Sequence, residues 1–144
     1  MAQRGDPKLE YIIDAVCKKV HETFPRHGIQ KLCLRPEICP SNIIDIVMDP
    51  KPWSTYKLEV KKGDVNRCHW NCVDLFQEYP RGEVQICVGF YAFRPELLGR
   101  IHTWLVHKDG HIIETIRRAD IYVGSLLSLE QCDMFVKESE KTRP

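Results

Sequence analysis

Three short pieces of the chain carry side chains that could do acyl chemistry together. Arg67-Cys68-His69-Trp70-Asn71-Cys72 places a thiol where a helix begins. Ile101-His102-Thr103-Trp104-Leu105-Val106 places an imidazole on a strand, and Ile112-Ile113-Glu114-Thr115-Ile116 places a carboxylate on the next one. A thiol nucleophile, a base and a group that orients the base are the parts of a cysteine-dependent enzyme acting on amide-type bonds. A helix start offers unpaired backbone N–H groups and the positive end of the dipole, which favour an anion such as a thiolate or the oxyanion of an acyl-transfer intermediate. Arg67 adds positive charge next to Cys68. Cys72 lies one helical turn further on the same face. It sits among Val73, Leu75 and Phe76 and reads as core.

The strand reading puts His102 and Trp104 on one face, two residues apart. An indole there can exclude water from a thiolate–imidazole pair and cover a substrate. Whether Glu114 reaches His102 depends on the turn between the strands. A two-residue Asp109-Gly110 loop would pair Leu105 with Glu114 and turn the carboxylate away. A three-residue Lys108-Asp109-Gly110 loop pairs His107 with His111 and Trp104 with Glu114, leaving Glu114 diagonal to His102. Glycine in the third loop position suits a type I turn closed by a left-handed residue. The second register is therefore expected, with a Glu114–His102 contact that holds the imidazole in one orientation.

The elements that must position these groups follow from periodicity. Leu9, Ile12, Ile13, Val16, Cys17, Val20 and Phe24 form one apolar stripe, predicting a helix over Lys8 to Phe24 begun by Asp6-Pro7. Prolines at 36, 40, 50 and 52 interrupt the segment from Gly28 to Trp53. Ser41-Asn42 and the run Ile43 to Val47 fit either a short capped helix or a buried strand. Cys33 and Cys39 lack the tight spacing of a zinc pair. Tyr56 to Val60 reads as a strand and Lys61-Lys62-Gly63-Asp64 as a turn. Asn66 or Asp64 is expected to cap a helix from Cys68 to about Tyr79, stopped by Pro80-Arg81-Gly82. Strands are expected over Glu83–Phe93, Arg100–His107, His111–Ile116 and Asp120–Val123, the last ending at Gly124. Ser128 caps a closing helix from Leu129 to about Lys137, and Glu138 to Pro144 reads as a frayed tail. The reading is α+β, with N-terminal helices packed on an antiparallel sheet, in a single domain spanning 1–144.

Composition bounds the rest. Of 144 residues, 43% are apolar and 28% charged, as in soluble globular proteins. A net charge of +1 argues against nucleic acid or an anionic membrane as partner. There is no apolar run of membrane-spanning length. Met1 to Asp6 is polar and lacks a signal-peptide core. Seven cysteines, an odd number, are then read as reduced thiols in a cytoplasmic setting.

A cysteine opening a helix, then His-x-Trp on a strand, then an acid and threonine on the next, resembles the transglutaminase-like branch of the papain-like superfamily. That family typically has His-Ala-Trp and Asp-Pro-Thr where this chain has His102-Thr103-Trp104 and Glu114-Thr115-Ile116. Cys68-x-x-Asn71 and Tyr122-x-Gly124 are similar to small uncharacterised bacterial and viral members. The resemblance covers Gly63 to Gly124. It implies a papain-like/transglutaminase-like α+β core with Cys68 as nucleophile, His102 as base and Glu114 as orienter, acting on a protein, peptide or small amide substrate without cofactor. Asn66, Asn71 and Trp104 are the expected substrate and oxyanion residues, with Trp53 a further candidate donor. Glutamate for aspartate adds a methylene at 114. Two other readings stay open: a non-catalytic interaction protein on a decayed enzyme scaffold, and a Cys/His zinc module drawn from Cys68, His69, Cys72, His102 and His111. With no C-x-x-C pair, and a chain large enough to fold without metal, no metal site is assigned.

Overall fold

The computed structural model describes residues 31–33, 51–96 and 98–143. The expected helix over Lys8–Phe24, the Ser41–Val47 segment and Cys39 lie outside the described residues. So do the N-terminal helices of the expected fold. The described chain is mixed α/β, with a mostly antiparallel sheet and two helices. Its strands are β1 (Lys31–Cys33), β2 (Lys51–Pro52), β3 (Glu59–Val60), β4 (Val84–Ala92), β5 (Leu98–His107), β6 (Ile112–Glu114) and β7 (Ile121–Leu126). The helices are α1 (Cys68–Glu78) and α2 (Leu129–Thr142). Strand pairing follows the order β2-β7-β4-β5-β6-β3, with β1 beside β5.

The chain divides into two compact units. The first comprises Met1–Trp53, Gly89–Ile101 and Ala119–Ser125. Here β1 runs parallel to the start of β5, and β2 pairs antiparallel with β7. Gly89 lies against the backbone of Val123 and Gly124, where a Cβ would fall on the Val123 carbonyl oxygen and the Gly124 Cα. The reason for glycine at 89 is thus close approach of two main chains.

The second unit comprises Ser54–Val88, His102–Arg118 and Leu126–Pro144, and contains both helices. The β5–β6 hairpin has Leu105 opposite Ile113 and Val106 opposite Ile112. Continuing that register sets Trp104 against Glu114. The His107 N–H donates to the His111 carbonyl at 2.9 Å, and Gly110 is left-handed at φ +96°. The three-residue loop expected from Gly110 is the one found. β3 runs parallel to β6, Val60 opposite Glu114, and the Lys61 and Gly63 N–H groups prolong the pairing by donating to the Glu114 and Thr115 carbonyls.

Helix α1 buries Cys68, His69, Cys72 and Val73. It ends where Tyr79 takes an extended conformation before Pro80, as residues before proline prefer. Its start differs from expectation. Arg67 is the N-cap and supplies no side-chain bond, while Asn66 sits in a left-handed turn at φ 59°. The strand expected from Tyr56 shortens to Glu59–Val60, with Tyr56 in a turn and largely exposed. Helix α2 starts as expected: the Ser128 hydroxyl accepts from the Gln131 N–H while the Gln131 side chain accepts from the Ser128 N–H. It runs past Lys137 to Thr142. Beyond it, Arg143 forks onto Asp74 of α1 at 2.7 and 3.2 Å, and the Trp70 indole donates to the Ser139 carbonyl at 3.0 Å. These contacts order the segment that its polar composition marked as a tail.

Two substitutions test this account by urea unfolding. Ser128→Ala removes one half of the capping box and should cost about 1 kcal/mol. Gly89→Ala forces a methyl group into backbone and should cost about 3 kcal/mol or more.

Candidate active site

All three residues of the expected triad lie in the second unit. Cys68 is the first residue of α1, so the helix ladder supplies no acceptor for its N–H. His102 projects from β5, every residue of which from Ile101 to Val106 is buried. Glu114 ends β6. The His102 Nε2–H donates to both carboxylate oxygens of Glu114, at 2.8 Å to Oε1 and 3.0 Å to Oε2. Glu114 Oε2 also accepts the Ile116 N–H at 2.7 Å, which turns the chain out of β6 and stops the strand short of the expected Ile116. Cys68 is a second partner of the same ring: its hydrogen bond and charge act on the imidazole proton. With Nε2 committed to Glu114, Nδ1 is the nitrogen left for the thiol.

Burial is graded along the triad: Cys68 retains 5% exposure, His102 2% and Glu114 none. Desolvation is the largest influence on the His102 proton and works against it. The hydrogen bond and charge of Cys68, then those of Glu114, outweigh it, and the pKa rises from 6.5 to about 9. The imidazole therefore holds its proton well above neutrality. Burial, and the neighbouring Cys68 and Glu114, push Cys72 well above the ordinary thiol range. It remains a thiol and donates to the Thr103 carbonyl at 3.4 Å.

The other expected site residues have been put to different use. Trp104 is fully buried and stacks near His102, ring centres 6.1 Å apart and planes 25° apart. Its ring lies alongside the imidazole, with none of its surface open to solvent. The Asn71 side chain bridges the Asp64 backbone, Oδ1 accepting from N–H at 3.1 Å and Nδ2 donating to the carbonyl at 2.9 Å. It fastens the approach to α1 rather than an oxyanion. Asn66 is exposed in its left-handed turn. The Trp53 indole N–H donates to the Gly124 carbonyl at 3.0 Å, within the first unit. Nor do the five residues of the zinc reading gather. His69 Nδ1 is held by the Thr103 hydroxyl, Cys72 by the Thr103 carbonyl, and His111 by Asp109 and Glu59. Thr103, which packs under α1 through both contacts, is a positioning residue that pattern reading passed over.

A cleft of about 340 Å³ lies beside α1, lined by Lys61, Lys62, Asp64, Asn71, Asp74 and Thr115 among others. None of the triad lines it. No helix among the described residues is long and apolar enough to cross a membrane. Comparison with protein-family models, with curated proteins and with solved structures finds no match.

The buried ion pair makes stability depend on pH. The native pKa of His102 lies above its ordinary value, so its contribution is complete below about pH 6.5 and disappears as pH rises through about 9. The wild-type urea midpoint should fall across that interval. In His102→Gln the decline attributable to this residue should be absent.

Proposed function

We propose that the chain is a cysteine-dependent hydrolase or acyltransferase acting on amide-type bonds. The observation that carries the reading is a buried imidazole gripped by Glu114 through Nε2 and facing a thiol at the first residue of a helix. Glu114 is one methylene longer than the aspartate of the resembled family, and its 2.8 and 3.0 Å contacts make the same kind of grip. The order of these residues and the mixed α/β fold are compatible with a papain-like or transglutaminase-like core.

The chemistry follows from the geometry. The Cys68 proton resides on His102 when the sulfur attacks the substrate carbonyl carbon. A carbon–sulfur bond forms, and the carbonyl π electrons move to oxygen. The Cys68 N–H at the opening of α1, and the dipole behind it, can stabilise that oxyanion. Its collapse breaks the carbon–nitrogen bond while the His102 proton passes to the departing amine. Water, or a second amine, then gives its proton to His102 and attacks the thioester, releasing the Cys68 sulfur. Glu114 keeps the ring in place and stabilises its charge at each stage. Cys68, Cys72, Cys87 and Cys132 are all free thiols, which fits a reducing, cytoplasmic compartment.

Iodoacetamide labelling against pH, with each cysteine followed by mass spectrometry, tests the pair. Cys68 should label fast below neutral pH and lose that reactivity in His102→Ala, while the buried Cys72 and Cys87 stay slow. With p-nitrophenyl acetate, wild type should accumulate an acyl group on Cys68. Glu114→Gln should slow that acylation by roughly 10²–10⁴-fold. Labelling of Cys68 in the wild type no faster than Cys72, or fast labelling that survives His102→Ala, would sink the enzyme reading.

A further inference from the structure

The turn that sets the hairpin register carries a second constellation. His107, Asp109 and His111 alternate around it, each offering one ligand atom, and those atoms lie within 4.8 Å of one another. The Asp109 carboxylate oxygen Oδ1 is 3.3 Å from His107 Nδ1 and 2.5 Å from His111 Nδ1. The two imidazoles stack, ring centres 4.9 Å apart and planes 21° apart, and both Nδ1 atoms approach the one Asp109 oxygen.

The far side of each ring is also occupied. His111 Nε2 lies 3.2 Å from Glu59 Oε2, and His107 Nε2 lies 3.6 Å from Glu83 Oε1. The 2.5 Å contact with Asp109 places a proton on His111 Nδ1 that a metal would displace; the carboxylate at Nε2 would then hold the Nε2–H tautomer, the usual outer arrangement around ligating histidines. At His107 the backbone points to the same tautomer, because the Asp109 N–H donates to Nδ1 at 3.3 Å. Glu59, Glu83 and Asp109 bring three carboxylates to two imidazoles; Lys61 Nζ, 3.7 Å from Glu59 Oε1, offsets one of them, and with both rings neutral a divalent cation would balance the other two. Both histidines are largely covered, at 18% and 17% side-chain exposure, while Asp109 is open to solvent at 57%.

We propose that His107 Nδ1, Asp109 Oδ1 and His111 Nδ1 form a binding site for a divalent transition metal, with zinc(II) the best fit to two nitrogens and one carboxylate oxygen. The three ligands leave a fourth position on the solvent side for water. Rotation of the side chains about an ion would replace the direct Asp109–histidine contacts with metal bonds. A metal here clamps the two strands at the turn, and so holds the register that sets Glu114 beside His102. The site stands independently of the proposed catalysis, since it shares no residue with the triad.

The test uses the full chain carrying Cys68→Ala, so that the active-site thiol takes no metal. After chelator treatment and its removal, zinc(II) is titrated against a competing fluorescent chelator. One equivalent per chain should bind, and zinc should raise the melting temperature. His107→Gln and His111→Gln should each weaken binding by tenfold or more. Asp109→Asn should do the same while keeping the turn, because asparagine can also accept the His111 N–H that Asp109 now takes at 3.0 Å. Glu59→Gln and Glu83→Gln, which remove no ligand, should weaken it by about 10-fold through the outer contacts. Cobalt(II) in the same Cys68→Ala chain supplies an independent readout, with visible ligand-field bands and no thiolate charge-transfer band expected. Absence of saturable zinc binding, binding indifferent to the His107, Asp109 and His111 changes, or a thiolate band with cobalt would each overturn the site.

Discussion

The hydrogen-bonded contact between His102 and Glu114 is the interaction on which the proposed catalytic geometry depends. Both side chains are essentially excluded from water. A buried carboxylate or imidazolium alone is expensive, so each makes the other tolerable. Glu114 meets the remaining demand of its oxygens with the Ile116 N–H, and its carbonyl is taken by Lys61. The strand end, the edge strand β3 and the imidazole are therefore tied to one carboxylate. Removing either partner would leave a buried group unpaired, which costs more than the contact itself contributes.

Around this pair the second unit supplies support from two directions. The hairpin fixes the register, with Gly110 absorbing the left-handed turn. Helix α1 brings Cys68 to the imidazole and is anchored by Thr103, which engages both His69 and Cys72, and by Asn71, which fastens the Asp64 backbone. Residues flanking Cys68 on the same helix thus have structural work, and the division between Cys68 and Cys72 is one of depth. Cys72 is fully buried and stays a thiol, whereas Cys68 opens the helix beside the His102 imidazole.

Legibility in the sequence tracked how local each determinant was. The Ser128 capping box, the Tyr79-Pro80 stop and the Lys108-Asp109-Gly110 loop act over a few residues, and each could be read directly. The loop carried furthest, since period-two alternation converts one turn length into the face on which Glu114 lies. Misreadings came where distant partners intervened. Asn71 resembled a site residue by spacing, yet its amide serves the loop before α1. Trp104 was placed correctly beside His102, but its depth depends on layers that the strand pattern does not reveal. The polar segment after Lys137 looked frayed because nothing local shows that Arg143 reaches Asp74.

By itself the sequence determined the candidate thiol, imidazole and carboxylate, their order, and the hairpin register that allows the last two to meet. These rest on backbone preferences and side-chain periodicity, which operate between near neighbours. Only the tertiary structure decided that His102 stands between Cys68 and Glu114, that Cys72 is sealed in the core, and that Glu59 and Glu83 converge on the histidines of the turn. Those outcomes join residues up to 52 positions apart. They depend on how helix and strands pack, where burial and charge balance are set by many residues at once and no single spacing records the result.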